Sequence, residues 1–323
     1  MFSKLLGIAA TTFAVMIATT GAAVAIGKQQ EHGLIVAERF SAQNNGNPQI
    51  VAVRPEDGHL RILTSGSQDV VPDLSPDGRS IIFERCVHAV NCDQIGADNI
   101  WTMRADGSHP HPLTACDGAK CLGAFDPAFS PDGRFIAFAE DLLDASGVNF
   151  NGIFIMRADG SHVRRVTSRS SDEGPDGQPQ FSPDGKQLVF QREVPGGTRL
   201  MIVRTDGSGL RPLLPGADAF APSWAPDGRR VAFTLAIHTG DTTTINVATV
   251  HPDGTDLRLL TNTSSANAAF APDYSPSGRR IVFSQSDADG CHLVISSVTG
   301  QHPRALPNGP GCLVDASWGP SRS

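Results

Sequence analysis

Gln180-Phe181-Ser182-Pro183-Asp184-Gly185-Lys186-Gln187-Leu188-Val189-Phe190 reads as a short strand, a tight Ser-Pro-Asp-Gly turn and a second strand. Proline presets the first turn position, glycine supplies a positive φ, and the Ser or Asp side chain bonds back to the turn backbone. The Leu-Val-Phe run that follows suits a strand packed on both faces. The unit recurs at 72–83 around Ser75-Pro76-Asp77-Gly78 and at 127–138 around Ser130-Pro131-Asp132-Gly133. Altered copies stand at 222–233 with Ala225-Pro226-Asp227-Gly228 and at 272–283 with Ser275-Pro276-Ser277-Gly278.

A second hairpin alternates with the first. Ile100-Trp101-Thr102-Met103-Arg104-Ala105-Asp106-Gly107-Ser108 leads to Leu113-Thr114, and the pattern returns around Asp159-Gly160, Asp206-Gly207, Asp253-Gly254 and Thr299-Gly300. Asp-Gly between apolar runs is a strong hairpin signal. The turn glycines Gly107, Gly160, Gly207, Gly254 and Gly300 are 53, 47, 47 and 46 residues apart, a spacing that belongs to four-stranded propeller blades. Complete units occupy 70–114, 126–167, 178–214, 221–261 and 271–306.

Two fragments remain. Gly33-Leu34-Ile35-Val36-Ala37 matches a second strand, followed by an outer hairpin at 49–64, while Asp315-Ala316-Ser317-Trp318-Gly319-Pro320 matches a first strand. Joined, they make a sixth blade with its innermost strand from the C-terminal end, which removes the open edge of the array. The expected fold is an all-β, six-bladed β-propeller of four-stranded antiparallel blades, closed by terminal strands that share one blade.

The N-terminus carries Lys4, an apolar run from Leu5 to about Thr20 and Gly21-Ala22-Ala23-Val24-Ala25, the pattern of a cleaved export signal. The expected division is a signal peptide at 1–25 and a propeller at 26–323, the alternative being an uncleaved anchor. Cleavage leaves no membrane span and implies a periplasmic or secreted protein. Six cysteines, Cys86, Cys92, Cys116, Cys121, Cys291 and Cys312, are then disulfide candidates. Spacing suggests Cys86 with Cys92, Cys116 with Cys121 and Cys291 with Cys312, without fixing the pairing. Compact Cys-x-x-Cys or Cys/His pairs at ligand spacing are absent, which sets a metal reading aside.

The recurrent Pro-x-aromatic-Ser-Pro-Asp-Gly-Arg/Lys strand and the Met-Arg-Ala-Asp-Gly-Ser hairpin resemble the repeat of the six-bladed TolB-type, WD40-like (PD40) propellers. The resemblance covers essentially all of the chain beyond the signal. It implies a periplasmic, envelope-associated scaffold that binds partner proteins. Only residues 26–32 separate the expected cleavage site from the first strand, so the propeller is expected without the α/β domain that precedes it in TolB proteins. Similar repeats also build peptidase propellers, but no Gly-x-Ser-x-Gly nucleophile elbow is present.

The repeat topology puts the Pro-Asp-Gly and Asp-Gly turns on one face and the non-repeating loops, with all six cysteines, on the other. That second face is the expected recognition surface. Asp69, Asp126, Asp176, Asp218 and Asp315, with Asn267 in the remaining blade, stand near the point where each segment enters the central channel. Such a mouth could hold a divalent cation or a basic peptide, although Asp also simply suits loop ends. His88, His238 and His292 lie toward the same face. The arginines flanking the outer turns, among them Arg54, Arg61, Arg164, Arg211, Arg258 and Arg304, are expected to guard edge strands and pair with turn aspartates.

No convergent acid, base and ligand set can be assembled, so catalysis is not expected and no cofactor is required. A net charge of -7 disfavours nucleic acid. The sequence therefore points to a monomeric, non-enzymatic module for envelope proteins. The alternatives are a carbohydrate or peptidoglycan binder and a metal-dependent lyase like the oligogalacturonate lyases, which carry similar repeats.

Overall fold

The computed structural model describes residues 33–41, 46–86, 98–143, 149–167, 174–288, 290–307 and 311–320. The expected signal segment, His88 and Cys92 lie outside them. The described chain is an all-β propeller without a helix.

The strand order matches the repeat. Blade 1 is built from Gln68–Leu74, Ser80–Cys86, Asp98–Arg104 and His111–Pro112; blade 2 from Cys121–Phe129, Phe135–Leu143, Asn149–Arg157 and Arg164–Arg165. Blade 3 comprises Asp176–Phe181, Gln187–Val194, Gly197–Arg204 and Arg211–Pro212. These are three separate four-stranded sheets. A single eight-stranded sheet holds Asp218–Trp224, Val231–Thr239, Thr242–Val250 and Arg258–Leu259 (blade 4) with Ala268–Tyr274, Arg280–Asp287, Gly290–Ser297 and Arg304–Ala305 (blade 5). One parallel bridge, Ile245 to Ala268, joins those two four-stranded groups.

The remaining sheet is the terminal closure. Cys312–Gly319 pairs antiparallel with Leu34–Phe40, Leu34 facing Gly319 and Phe40 facing Cys312, and Gln49–Val53 and Leu60–Ile62 complete the order. Burial on both faces explains why the second strands read as unbroken apolar runs. Phe83, Phe138, Phe190 and Phe233 are fully buried, and the core lies between adjacent blades, as where Val189 and Ile202 of blade 3 pack with Phe233 and Ala248 of blade 4.

The turns are held as their chemistry dictates. Ser182 Oγ donates to Asp184 Oδ1 at 2.6 Å, that oxygen accepts from the Lys186 N–H at 3.1 Å, and Gly185 takes φ 69°. The outer turn glycines do something more: a Cβ on Gly160, at φ 84°, would stand 2.8 Å from the Leu113 carbonyl oxygen of the preceding blade. The glycine therefore serves both the turn and close blade packing. The post-turn arginines also differ from the expectation of edge guards alone. Arg164 Nη1 donates to the Thr205 carbonyl at 2.7 Å and Arg211 Nη2 to the Pro252 carbonyl at 2.7 Å, each reaching the turn of the next blade. Arg54 and Arg258 do pair with turn acids, Asp57 and Asp256, each at 2.7 Å.

Candidate functional site

Each inner strand breaks register at an equivalent place, between Val70 and Asp73 in blade 1 and at the matching residues elsewhere, and blade 2 has a further shift between Cys121 and Gly123. The bulged residue has left-handed backbone: Val71 (φ 47°), Asp126 (52°), Gln178 (48°), Ala221 (49°), Ala271 (47°) and Asp315 (48°). Such a conformation costs about 1–3 kcal/mol for a non-glycine residue and persists only where its surroundings hold it. What holds it is a repeated hydrogen bond. The bulge N–H of each blade donates to a side chain of the preceding one: Val71 to Glu38 (2.6 Å), Asp126 to Glu84 (3.3 Å), Ala221 to Gln191 (3.3 Å), Ala271 to Thr234 (2.9 Å) and Asp315 to Ser284 (3.1 Å). At the one blade where the acceptor position is Ala139, Gln178 donates instead to Asp126 Oδ2 at 3.0 Å.

These bulges line a central cavity of about 90 Å³ whose wall includes Asp73, Asp126, Gln178, Asp273 and Asp315. Two of these, Asp126 and Asp315, interact electrostatically with two buried carboxylates behind the wall, Glu38 and Glu84. Burial, reinforced by Asp315 and Asp126, pushes Glu38 well above the ordinary carboxylate range. Burial together with Asp126 and Asp98 does the same for Glu84. Burial raises Asp126, against the Gln178 N–H, and raises Asp315 to about 6 with help from Asp126. Among the described residues none of the four forms an ion pair. Deeper in the wall, burial lifts Asp73 to about 6 and Asp273 to about 7, although Ser317 and Ser223 each donate a hydroxyl to them.

The expected ring of strand-start acids is thus split in two. Asp126 and Asp315 are bulge residues facing the cavity. Asp69 and Asp176 begin inner strands and are buried under arginines: Arg85 holds Asp69 through two bonds of 2.6 and 2.9 Å, and Arg192 holds Asp176 through bonds of the same lengths. Asp218 accepts from the Thr198 N–H at 2.8 Å and contacts His238 Nε2 at 2.9 Å. Their charges are spent locally, which is why unequal offsets from the following proline in the sequence correspond to two different jobs. Asn267 is exposed in a turn, donating its N–H to the Ser264 carbonyl at 3.1 Å. His292 Nε2 lies 3.8 Å from Asp287. His238 and His292 therefore each meet one carboxylate and do not converge with one another.

Glu38 and Glu84 were not singled out from sequence, because an acid after an apolar run resembles an ordinary strand end. The readable signal was their shared place in the repeat, directly after Ala37 and Phe83. Cys116 bonds Cys121 and Cys291 bonds Cys312, and Cys86 is also disulfide-bonded. No described helix is long and apolar enough to cross a membrane.

Comparison with known proteins agrees with this architecture. An uncharacterized protein of Agrobacterium fabrum, Atu1656, is 32% identical over 127 residues, 38% of this chain and 40% of its own length. The chain thus matches well under half of that relative. Two solved structures at low identity share the fold: TolB from Acinetobacter baumannii, with TM-score 0.70, 19% identity, 89% of this chain and 67% of that one; and oligogalacturonate lyase from Vibrio parahaemolyticus, with TM-score 0.55, 14% identity, 84% of this chain and 78% of that one. Residues 120–322 match the family described as PD40, TolB beta propeller domain, and the chain belongs to that family.

Proposed function

We propose that this chain is an exported, monomeric, non-enzymatic binding module of the periplasm or cell envelope, whose acidic channel receives basic side chains from an extended segment of a partner protein. One observation carries the reading: Asp126 and Asp315 line the channel, Glu38 and Glu84 interact with them from just behind it, and none of the four has an ion-pair partner among the described residues. Converging like charges in a low-dielectric cleft focus a negative potential. Their raised pKa values mean that an incoming cation relieves an existing cost. A divalent cation is the competing occupant. The carboxylates favour a larger group, because no three of them bring oxygens within 4.8 Å of one another, as compact coordination by them would need.

The oligogalacturonate lyase likeness keeps a metal-dependent lyase in view, and carbohydrate is the other alternative ligand. Among the described residues no group of three or more metal ligands includes His238 or His292. His238 and His292 each face a single carboxylate, where a lyase site needs several groups aimed at one point.

The test is affinity capture from the native envelope with the mature chain as bait, alongside a Glu84→Gln/Asp126→Asn/Asp315→Asn variant. Proteins retained by the first, lost by the second and released by salt but not by chelator support the reading. Identical capture by both baits sinks it. Mass spectrometry of the mature N-terminus checks export: a chain still beginning at Met1 or Phe2 overturns that part.

A further inference from the structure

Outside the channel, the described residues contain one group of three side chains whose ligand atoms all lie within 4.8 Å of one another: Cys116, Cys121 and Glu140. Cys116 and Cys121 are disulfide-bonded, and Glu140 Oε1 lies 3.4 Å from Cys121 Sγ. A sulfur in a disulfide carries no proton to donate, so this contact gives the carboxylate no hydrogen bond. Among the described residues Glu140 has no other polar partner. Its cross-strand neighbours, Ala124 and Gly152, are small and leave the carboxyl room to turn. Burial alone pushes Glu140 up to about 7. A half-buried carboxyl aimed at two sulfurs is poorly explained as part of a stapled loop.

It is well explained by a second state. Zinc binds tetrahedrally, with bonds of about 2.3 Å to thiolate and about 2.0–2.2 Å to carboxylate, which places neighbouring S and O ligands about 3.6 Å apart and two S ligands about 3.8 Å apart. The existing 3.4 Å between Cys121 Sγ and Glu140 Oε1 is already close to such an edge. Opening the disulfide requires its sulfurs, about 2 Å apart when bonded, to separate by a little under 2 Å. Four residues lie between the cysteines, longer than the compact Cys-x-x-Cys pair that the sequence lacks but still at the upper end of the spacing that zinc-binding cysteine pairs use, so the metal reading set aside from sequence returns here on geometry.

The geometry points to a redox-gated metal site: once reduced, Cys116 and Cys121 together with Glu140 form three ligands for a thiophilic divalent cation, with zinc the best match. A dithiol reductant supplies two electrons and two protons, leaving Cys116 and Cys121 as thiols while it becomes a disulfide itself. Zinc binding then releases both thiol protons, and two thiolates, one carboxylate and a water complete the tetrahedron. Exchange with an external disulfide, which takes up the two electrons and two protons and becomes a dithiol, re-forms the Cys116–Cys121 bond and releases the metal. Two soft sulfurs select zinc over calcium or magnesium, which separates this site from the acidic channel.

The experiment uses the full chain, reduced with a dithiol, freed of it without air and titrated with cobalt(II) as a spectroscopic stand-in for zinc. A thiolate-to-cobalt charge-transfer band, absent from the oxidised chain and discharged by zinc, is expected. Glu140→Gln, which keeps the shape, should weaken cobalt binding roughly tenfold or more, and Cys116→Ser/Cys121→Ser should abolish the band. In the unaltered reduced chain, zinc should shield Cys116 and Cys121 from alkylation, mapped by mass spectrometry, whatever the folding of the variants. Equal binding by the oxidised chain, a band that survives loss of both cysteines, unchanged affinity in Glu140→Gln, or no zinc protection of the two thiols overturns the proposal.

Discussion

The N–H of Gln178 donates to Asp126 Oδ2 at 3.0 Å across a blade boundary, at the one place in the repeat where the usual acceptor position is occupied by Ala139. Asp126 thereby has two roles: it holds the neighbouring bulge and contributes to the negative field of the channel. The two separate by substitution. Asp126→Ala leaves a strained N–H without its acceptor and should cost about 1–3 kcal/mol. Asp126→Asn keeps an acceptor oxygen, removes the charge and should be neutral or stabilising at pH 8. Denaturant unfolding of both variants checks this, and equal losses would show that the charge, not the hydrogen bond, is what the fold uses.

Stability should rise as pH falls from 8 toward 5. Burial disfavours the charged forms of Asp73, Asp315 and Asp273 and pushes their pKa values up, to about 6 for the first two and about 7 for Asp273. The folded chain therefore binds more protons than the unfolded chain between about pH 4 and 7. Their stabilising contribution is complete below about pH 4 and is lost as pH rises through 6 and 7. Asp77, Asp132 and Asp184 act oppositely: their turn serines hold them low, and their contribution is lost in acid. The optimum should fall between about pH 4 and 6. Asp273→Asn should raise Tm at pH 8 and flatten the slope, which thermal scans across pH will show; an unchanged slope would remove Asp273 from the account.

Arg192 and Asp176 form a buried two-bond pair, with side chains 3% and 0% exposed, and Asp176 also accepts the Thr167 hydroxyl at 2.6 Å. Arg192→Met strands a carboxylate in the interior and should cost about 3–5 kcal/mol. The double change Arg192→Met/Asp176→Asn should recover most of that loss, since the expense lies in the unpaired charge. A double-variant cycle by urea unfolding measures it. Additive losses would contradict the pairing argument.

Cys291 and Cys312 tie the third strand of blade 5 to the inner strand of the terminal closure. They are 21 residues apart, and removing such a link should cost up to about 3 kcal/mol. Cys291→Ser/Cys312→Ser should lower Tm and speed proteolysis near residue 311, where the C-terminal strand starts. Cleavage confined to loops elsewhere would show that the pairing of Leu34 through Phe40 with that strand suffices alone.

Much of the architecture could be read from the chain because its determinants are local. Ser182, Pro183, Asp184 and Gly185 fix a turn through bonds within six residues, and repetition at a nearly constant period counts the units. The terminal closure was legible for the same reason, as two fragments that complete one repeat. The arginine bridges and the split among the acids were not. Asp69 and Asp126 look alike in sequence, yet one lies under Arg85 and the other faces the channel, a difference set by register against Ser80–Cys86 and by the bulge one blade further on.

By itself, then, the sequence determined the hairpins, their repetition and the manner of closure, since each rests on turn chemistry and strand periodicity within a few dozen residues. Only the tertiary structure decided which carboxylates share a cavity and which are neutralised, and that Glu140 points at Cys121. Those relationships depend on side chains from different blades or strands meeting at angstrom distances, and burial there sets their charge.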